Sequence, residues 1–200
     1  DKVLQQAKYC YYCIEQHSFY KYKGGYLEAF TRNWEPIKDL RLSAKDANEK
    51  KTMNTHLHVL EAYANLYSIW KDEKLRTSIK LLLENFTDHI VDRSTGHLQL
   101  FFDEDWNVKG DIVSYGHDIE AAWLLLEAAE IIGDGELIEK IKVISVNMAI
   151  AASKGLDIDG GMWYEAEHGK LVAQKHSWPQ AEAMVGFYNA WQLTKDKKYL

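Results

Sequence analysis

The chain repeats itself with a period near sixty residues, and that repeat limits the folds open to it. Three segments align: His58 with Glu61–Ala62, His117 with Glu120–Ala121, and Pro179 with Glu182–Ala183. The Glu–Ala pairs lie 59 and 62 residues apart. Each segment opens a stretch with apolar residues at helical spacing. A short break carrying charge closes each stretch, at Lys71–Asp72, Gly133–Asp134 and Lys195–Asp196. The first two breaks lead into second helices over residues 73–91 and 136–153. The connections between pairs differ from these tight breaks. Residues 96–112 alternate Leu98, Leu100 and Phe102 before a turn at 103–109; residues 159–175 carry Gly160–Gly161 and His168–Gly169; residues 20–36 carry Gly24–Gly25. These read as short hairpins or long loops.

The unit is therefore helix, tight turn, helix, long loop. Such pairs build a solenoid or a closed α/α barrel. The recurring His, Glu and Trp on the first helix of each pair favour the barrel, with those helices inside and the loops on one rim. The expected fold class is all-α: an (α/α)6-barrel-type toroid of helical hairpins with short β-hairpin loops on one rim. Residues 1–17 read as the second helix of an earlier pair and 196–200 as the start of another. Six pairs need twelve helices, so the expectation is one domain over 1–200, part of a barrel and a fragment of a longer protein. Exposed apolar faces on such a fragment invite self-association.

Composition supports helices and narrows the partners. Two prolines in 200 residues fall well below the usual share of about 5%. The 24 basic and 30 acidic residues give a net charge of −6, which argues against nucleic acid. Apolar residues make up 46%, enough for a core and too many for disorder. No apolar run has the roughly 18–20 residues of a membrane span, and the opening residues do not read as a signal peptide. Cys10 and Cys13 are spaced as in a redox motif but sit in a helical stretch, so they read as buried thiols. The cytoplasm is the default compartment.

The polar residues of the repeat are the candidate site. Asn54, His58 and Glu61 share one helix face, as do His117 with Glu120 and Trp178 with Glu182. Polar groups on a packing face are costly unless paired or functional. His117 follows a turn-like stretch and opens a helix that Ser114 or Asp118 could cap. The positive end of the helix dipole disfavours imidazolium, and a neutral imidazole suits a general base. Glu120 could orient it or bind a substrate hydroxyl. His56 and His58 are two apart and point to different sides, so they form no two-histidine metal site. His17, His89, His97, His168 and His176 lack partners at useful spacing and read as surface residues. Trp178 precedes Pro179 in a first turn, on a rim where a sugar ring could stack. No phosphate loop, zinc pattern or Gly-x-Ser-x-Gly element occurs. No metal or cofactor is expected.

Three motifs carry a resemblance. They are Lys51–Asn54 with His58 and Glu61–Tyr63; Gly110–Ile112 with Ser114–Ala121 and Trp123; and Trp178–Ala183 with Gly186–Phe187. Over the whole chain they resemble the middle to C-terminal half of cellobiose 2-epimerases, within the N-acylglucosamine 2-epimerase family. The resemblance implies a six-pair α/α barrel and a cofactor-free enzyme whose partner is a small sugar. One histidine removes the C2 proton of the ring-opened reducing end. A cis-enediolate forms, and a second histidine returns a proton on the opposite face. By motif match, His117 is an acid/base residue and His58 lies near the reacting end. Asn54, Glu61, Glu120, Trp123, Trp178 and Glu182 match substrate-binding and supporting positions. The family's second acid/base histidine and an arginine of the earlier barrel half have no counterpart in these residues, so the isolated chain is expected to be inactive or severely impaired. Ser177 stands where many members carry a second tryptophan, which leaves mannose and N-acylglucosamine open as substrates. Two other readings remain: an α/α-barrel glycoside hydrolase using Asp118 with Glu182 or Glu61, and a non-enzymatic helical-repeat binding module.

Overall fold

A computed structural model describes residues 1–41, 43 and 46–200. The chain divides into two compact units, residues 1–85 with 100–110 and residues 86–99 with 111–200.

The first unit holds three helices: α1 (Lys2–His17), α2 (Met53–Ile69) and α3 (Glu73–Asn85). Each starts on a side-chain cap that satisfies otherwise orphaned N–H groups. Asp1 accepts from Val3 N, Thr52 from Thr55 N, and Asp72 from Lys74 N and Leu75 N. Leu57, Leu60 and Tyr63 of α2 and Leu75, Ile79, Leu82 and Leu83 of α3 are fully buried, each leucine contributing about 1.5–3 kcal/mol. The Glu15 carboxylate accepts from Tyr26 Oη (2.6 Å) and Tyr63 Oη (2.9 Å). Burial, with Glu15 alongside, pushes both phenols well above their usual range.

Strand β1 (Lys51–Thr52) pairs antiparallel with β2 (Phe101–Phe102). Lys51 is buried; its Nζ donates to Gly24 O (2.7 Å) and Glu104 O (2.8 Å) and lies 4.2 Å from the Trp106 ring centre. Burial lowers its pKa to about 8. Gly25, at φ +75°, lies against Trp106 and His56; a Cβ there would stand 2.5 Å from the indole.

The second unit begins with a π turn, Phe86–Ile90, and holds α4 (Tyr115–Ile132), α5 (Gly135–Ser153) and α6 (Ser177–Thr194). Helix α4 packs on both α5 and α6 and is buried nearly all round, as a helix apolar on every face must be. It ends on Gly133 in the left-handed conformation, and Asp134 then caps α5 by accepting from Leu137 N. At Gly186, α6 touches α4 so closely that a Cβ would stand 2.5 Å from Ile119 Cγ1. Strands β3 (Val113–Ser114), β4 (Glu165–Glu167) and β5 (Lys170–Val172) form an antiparallel sheet in that order.

Several expectations need correction. The helix expected over 73–91 leaves regular α geometry at Asn85. Of the hairpin or long loop expected over 96–112, the long loop forms, with the isolated bridge Phe102 to Val108, and Phe101–Phe102 pair with Lys51–Thr52. Residues 20–36 form the long loop of the two alternatives, touched by the bridges Phe19–Tyr26 and Phe30–Pro36. Cys10 is exposed and Cys13 half-buried rather than core. The expected start of a helix at 196–200 is a single 3-10 turn, Lys197–Tyr199. On α6, Met184, Val185 and Tyr188 are exposed.

Candidate active site

The second unit gathers most of the candidate residues at the junction of β3 and α4. Ser114 is buried in β3, where it pairs with Glu165 of β4. Its Oγ lies 2.8 Å from His117 Nδ1. His117 is the third residue of α4 and half-buried. The Trp178 ring packs on it at 4.8 Å between centres, tilted by 52°. Gly116 makes that approach possible, since a Cβ there would stand 2.6 Å from the indole. Tyr164 meets Trp178 edge-on at 6.5 Å and stacks on His176 at 4.1 Å. One turn beyond His117, Glu120 is buried. Trp123 Nε1 donates to Glu182 Oε2 at 2.9 Å, joining α4 to α6. The residues His117, Trp123, Trp178 and Glu182, spread over 66 positions, thus meet in pairs on two adjoining helices.

Neither expected cap of α4 operates through its side chain. The Ser114 side chain makes no capping bond; it is spent on His117 instead. Asp118 is fully buried. Its Oδ1 accepts from Leu98 N (2.8 Å) and its Oδ2 lies 2.7 Å from His97 Nδ1. Burial pushes this carboxyl up, against the opposing pull of His97. Both oxygens are engaged and closed to solvent, so Asp118 cannot serve a glycosidase as acid or nucleophile. That removes the carboxylate on which the hydrolase alternative rested.

Four of the histidines read as surface groups without partners have partners: His17, His97, His168 and His176. His97 holds Asp118. His17 stacks on Trp34 at 4.7 Å. His168 Nδ1 lies 2.8 Å from Asp111 Oδ1, and that carboxylate holds its pKa up. His176 stacks on Tyr164. His89 is exposed.

In the first unit, the shared face of α2 forms as expected. His58 Nδ1 lies 3.1 Å from Glu61 Oε2, and both are about half exposed. Asn54, one turn earlier, is half-buried. His56 points to the other side, into the core, where its Nε2 accepts from Tyr26 N (2.9 Å) and its Nδ1 lies 2.6 Å from Thr52 O. Accepting at Nε2 makes it a neutral imidazole with the proton at Nδ1.

Sequence reasoning missed Ser114 as a partner of His117, and it missed Tyr164, His176 and Gln180. Gln180 clamps the loop before β4 onto α6: its Oε1 accepts from Met162 N and its Nε2 donates to Met162 O and His176 O. Its place between Trp178 and Glu182 was the one available signal. Among the described residues, no three His, Cys, Asp or Glu are grouped to hold a metal ion, and no helix is long and apolar enough to cross a membrane.

Residues 4–200 match the family model of N-acylglucosamine 2-epimerase (GlcNAc 2-epimerase). The cellobiose 2-epimerase of Bacteroides fragilis is 52% identical over 198 residues, covering 98% of this chain and 50% of that protein. The cellobiose 2-epimerase of Ruminococcus albus is 37% identical over 187 residues, covering 94% of this chain and 48% of that protein. Among solved structures, the cellobiose 2-epimerase of Bacillus thermoamylovorans superposes with a TM-score of 0.94 at 41% identity, over 99% of this chain and 51% of that one. The chain spans about half the length of the curated relatives it matches. Its fold class is that of a partial (α/α)6 barrel, built from helical hairpins with small β-hairpins between them.

Proposed function

The chain belongs to the N-acylglucosamine 2-epimerase family, and from that premise we propose that the protein is a carbohydrate 2-epimerase, an isomerase inverting C2 at the reducing end of cellobiose. The observation that carries this reading is His117, set in the first turn of α4 with Nδ1 on Ser114 and one ring face on Trp178. A proton beside a carbonyl is removed by a base poised near the working pH, helped by donors to the developing enediolate oxygen. The start of α4 opposes a standing positive charge on the ring, which keeps the imidazole ready to accept.

In the proposed reaction the sugar ring opens and His117 takes the proton from C2. The C–H electron pair becomes the C1–C2 double bond, and the carbonyl pair moves onto O1. A cis-enediolate results. A proton delivered to the opposite face of C2 then inverts it; we assign that donor to a histidine outside these 200 residues. His58, with Nδ1 against Glu61, and Asn54 are assigned as donors to the sugar oxygens. Glu120 and Glu182 are assigned to sugar hydroxyls, with Trp123 fixing Glu182. Trp178 offers an aromatic face for a ring. No step calls for a metal or a redox cofactor.

The test is NMR of cellobiose, mannose and N-acylglucosamine in D2O with the full-length protein. Deuterium entering C2 together with an epimer signal is the expected result, lost in His117→Ala. The sugar that responds identifies the substrate. Release of a monosaccharide, or no exchange at C2 of any of the three, would refute the proposal.

A further inference from the structure

We infer that Ser114 is the positioning residue of His117, fixing by its hydroxyl which ring nitrogen meets the sugar. This inference rests on the epimerase reading and deepens it. Ser114 sits one residue before α4 begins, where a serine ordinarily spends its oxygen on the helix's own N–H groups. Here it makes no such bond. The oxygen instead lies 2.8 Å from His117 Nδ1, and the residue is 1% exposed. The serine is itself held: its backbone is in β3, in register with Glu165 of β4, and β4 continues into the β4–β5 hairpin. The sheet thus sets the oxygen, and the oxygen sets the ring.

The proton inventory follows from this contact. A base that works through Nε2 must carry its proton on Nδ1 when neutral. Nδ1–H then donates to Ser114 Oγ. When Nε2 takes the C2 proton, Nδ1–H still donates to the same oxygen, so the contact survives both protonation states without rearrangement. The partner's neutrality matters as much as its position. The fold shows the alternative close by: His97 Nδ1 meets the buried Asp118 carboxylate at 2.7 Å. A carboxylate partner stabilises imidazolium and raises basicity. A hydroxyl orients the ring without placing a charge of its own beside it. Trp178 closes one face of the ring at 4.8 Å, so the ring's tilt is restrained while Ser114 restrains its flip.

The experiment uses the full-length protein labelled with 15N in its histidine rings, read by long-range proton–nitrogen spectra, together with steady-state kinetics. Wild type should show the neutral Nδ1–H form for His117, identified by the signal missing in His117→Gln. Ser114→Ala should move it toward the Nε2–H form, lower kcat about 10–100-fold and leave KM unchanged, since the serine is not assigned to the sugar. If Ser114→Ala does not fold, Ser114→Cys replaces it, because a thiol fills the same space and accepts hydrogen bonds weakly. Unchanged tautomer and unchanged kcat overturn the inference; so does a fall in kcat with the tautomer unchanged. A wild-type protein that exchanges no sugar C2 proton overturns the functional reading alone, and the ring spectra still decide the role of Ser114.

Discussion

Removing Asp118 should cost stability rather than chemistry, although it adjoins His117. Asp118→Ala strands Leu98 N–H in the core, a loss of about 1–3 kcal/mol, and takes away the charged partner of His97. Breaking a buried pair from one side typically costs about 3–5 kcal/mol. Both bonds are short and the carboxylate has no exposure, so the full range applies. The loss is read as a fall in the denaturation midpoint. Asp118→Asn keeps an oxygen for Leu98 N–H and loses the charge only, so about 1–2 kcal/mol is expected. His97→Ala gives the sign of the pH effect. The carboxyl already binds its proton more tightly folded than unfolded, and losing His97 removes the strongest opposing pull. Stability in that variant must therefore fall, relative to wild type, as pH rises through the folded pKa of Asp118. The assay is urea denaturation at several pH values, with the double variant closing a cycle. Equal costs for Asp118→Ala and Asp118→Asn, or a His97→Ala profile parallel to wild type, would refute this account.

Three other perturbations test separate contacts. Trp123→Phe keeps the ring and deletes the donor to Glu182; kcat/KM should fall about 10–150-fold, the rate equivalent of one hydrogen bond to a charged group, and a wild-type value would show that Glu182 needs no fixing. Lys51 titrates near 8 when folded and near 10.5 when not, so the unfolded chain holds more protons across that interval and stability should climb as pH rises from about 8 toward about 10. Lys51→Met should flatten that climb in denaturation curves. Gly186→Ala forces α6 away from Ile119 and should cost about 1–3 kcal/mol, visible as a lower denaturation midpoint.

What was legible in the sequence was what repeats or alternates locally. The Glu–Ala register gave away α2, α4 and α6, and the charged breaks at Lys71–Asp72 and Gly133–Asp134 marked their ends because a two-residue turn leaves little choice of where helices stop. The pairing of Trp123 with Glu182 was not legible, since nothing in either neighbourhood names a partner 59 residues away. The same holds for His97 with Asp118, 21 residues apart, and for β1 with β2, where the alternation of Leu98, Leu100 and Phe102 names no partner strand. Ser114 was misassigned for a subtler reason. A serine before a helix has two uses for its oxygen, and only the position of the His117 ring decides between them. Cys10 was misplaced because the burial of a helix face depends on what packs there, and α1 alone does not say.

The contact between Trp178 and His117 turns the site into its own optical sensor. An excited indole passes an electron to an imidazolium far more readily than to a neutral imidazole, and at 4.8 Å between ring centres that transfer competes with emission. The protonation state of His117 is therefore written into the fluorescence of one tryptophan. Subtracting the emission of His117→Gln from that of wild type cancels every other indole, leaving a titration curve for a single ring in the resting protein, with no substrate present.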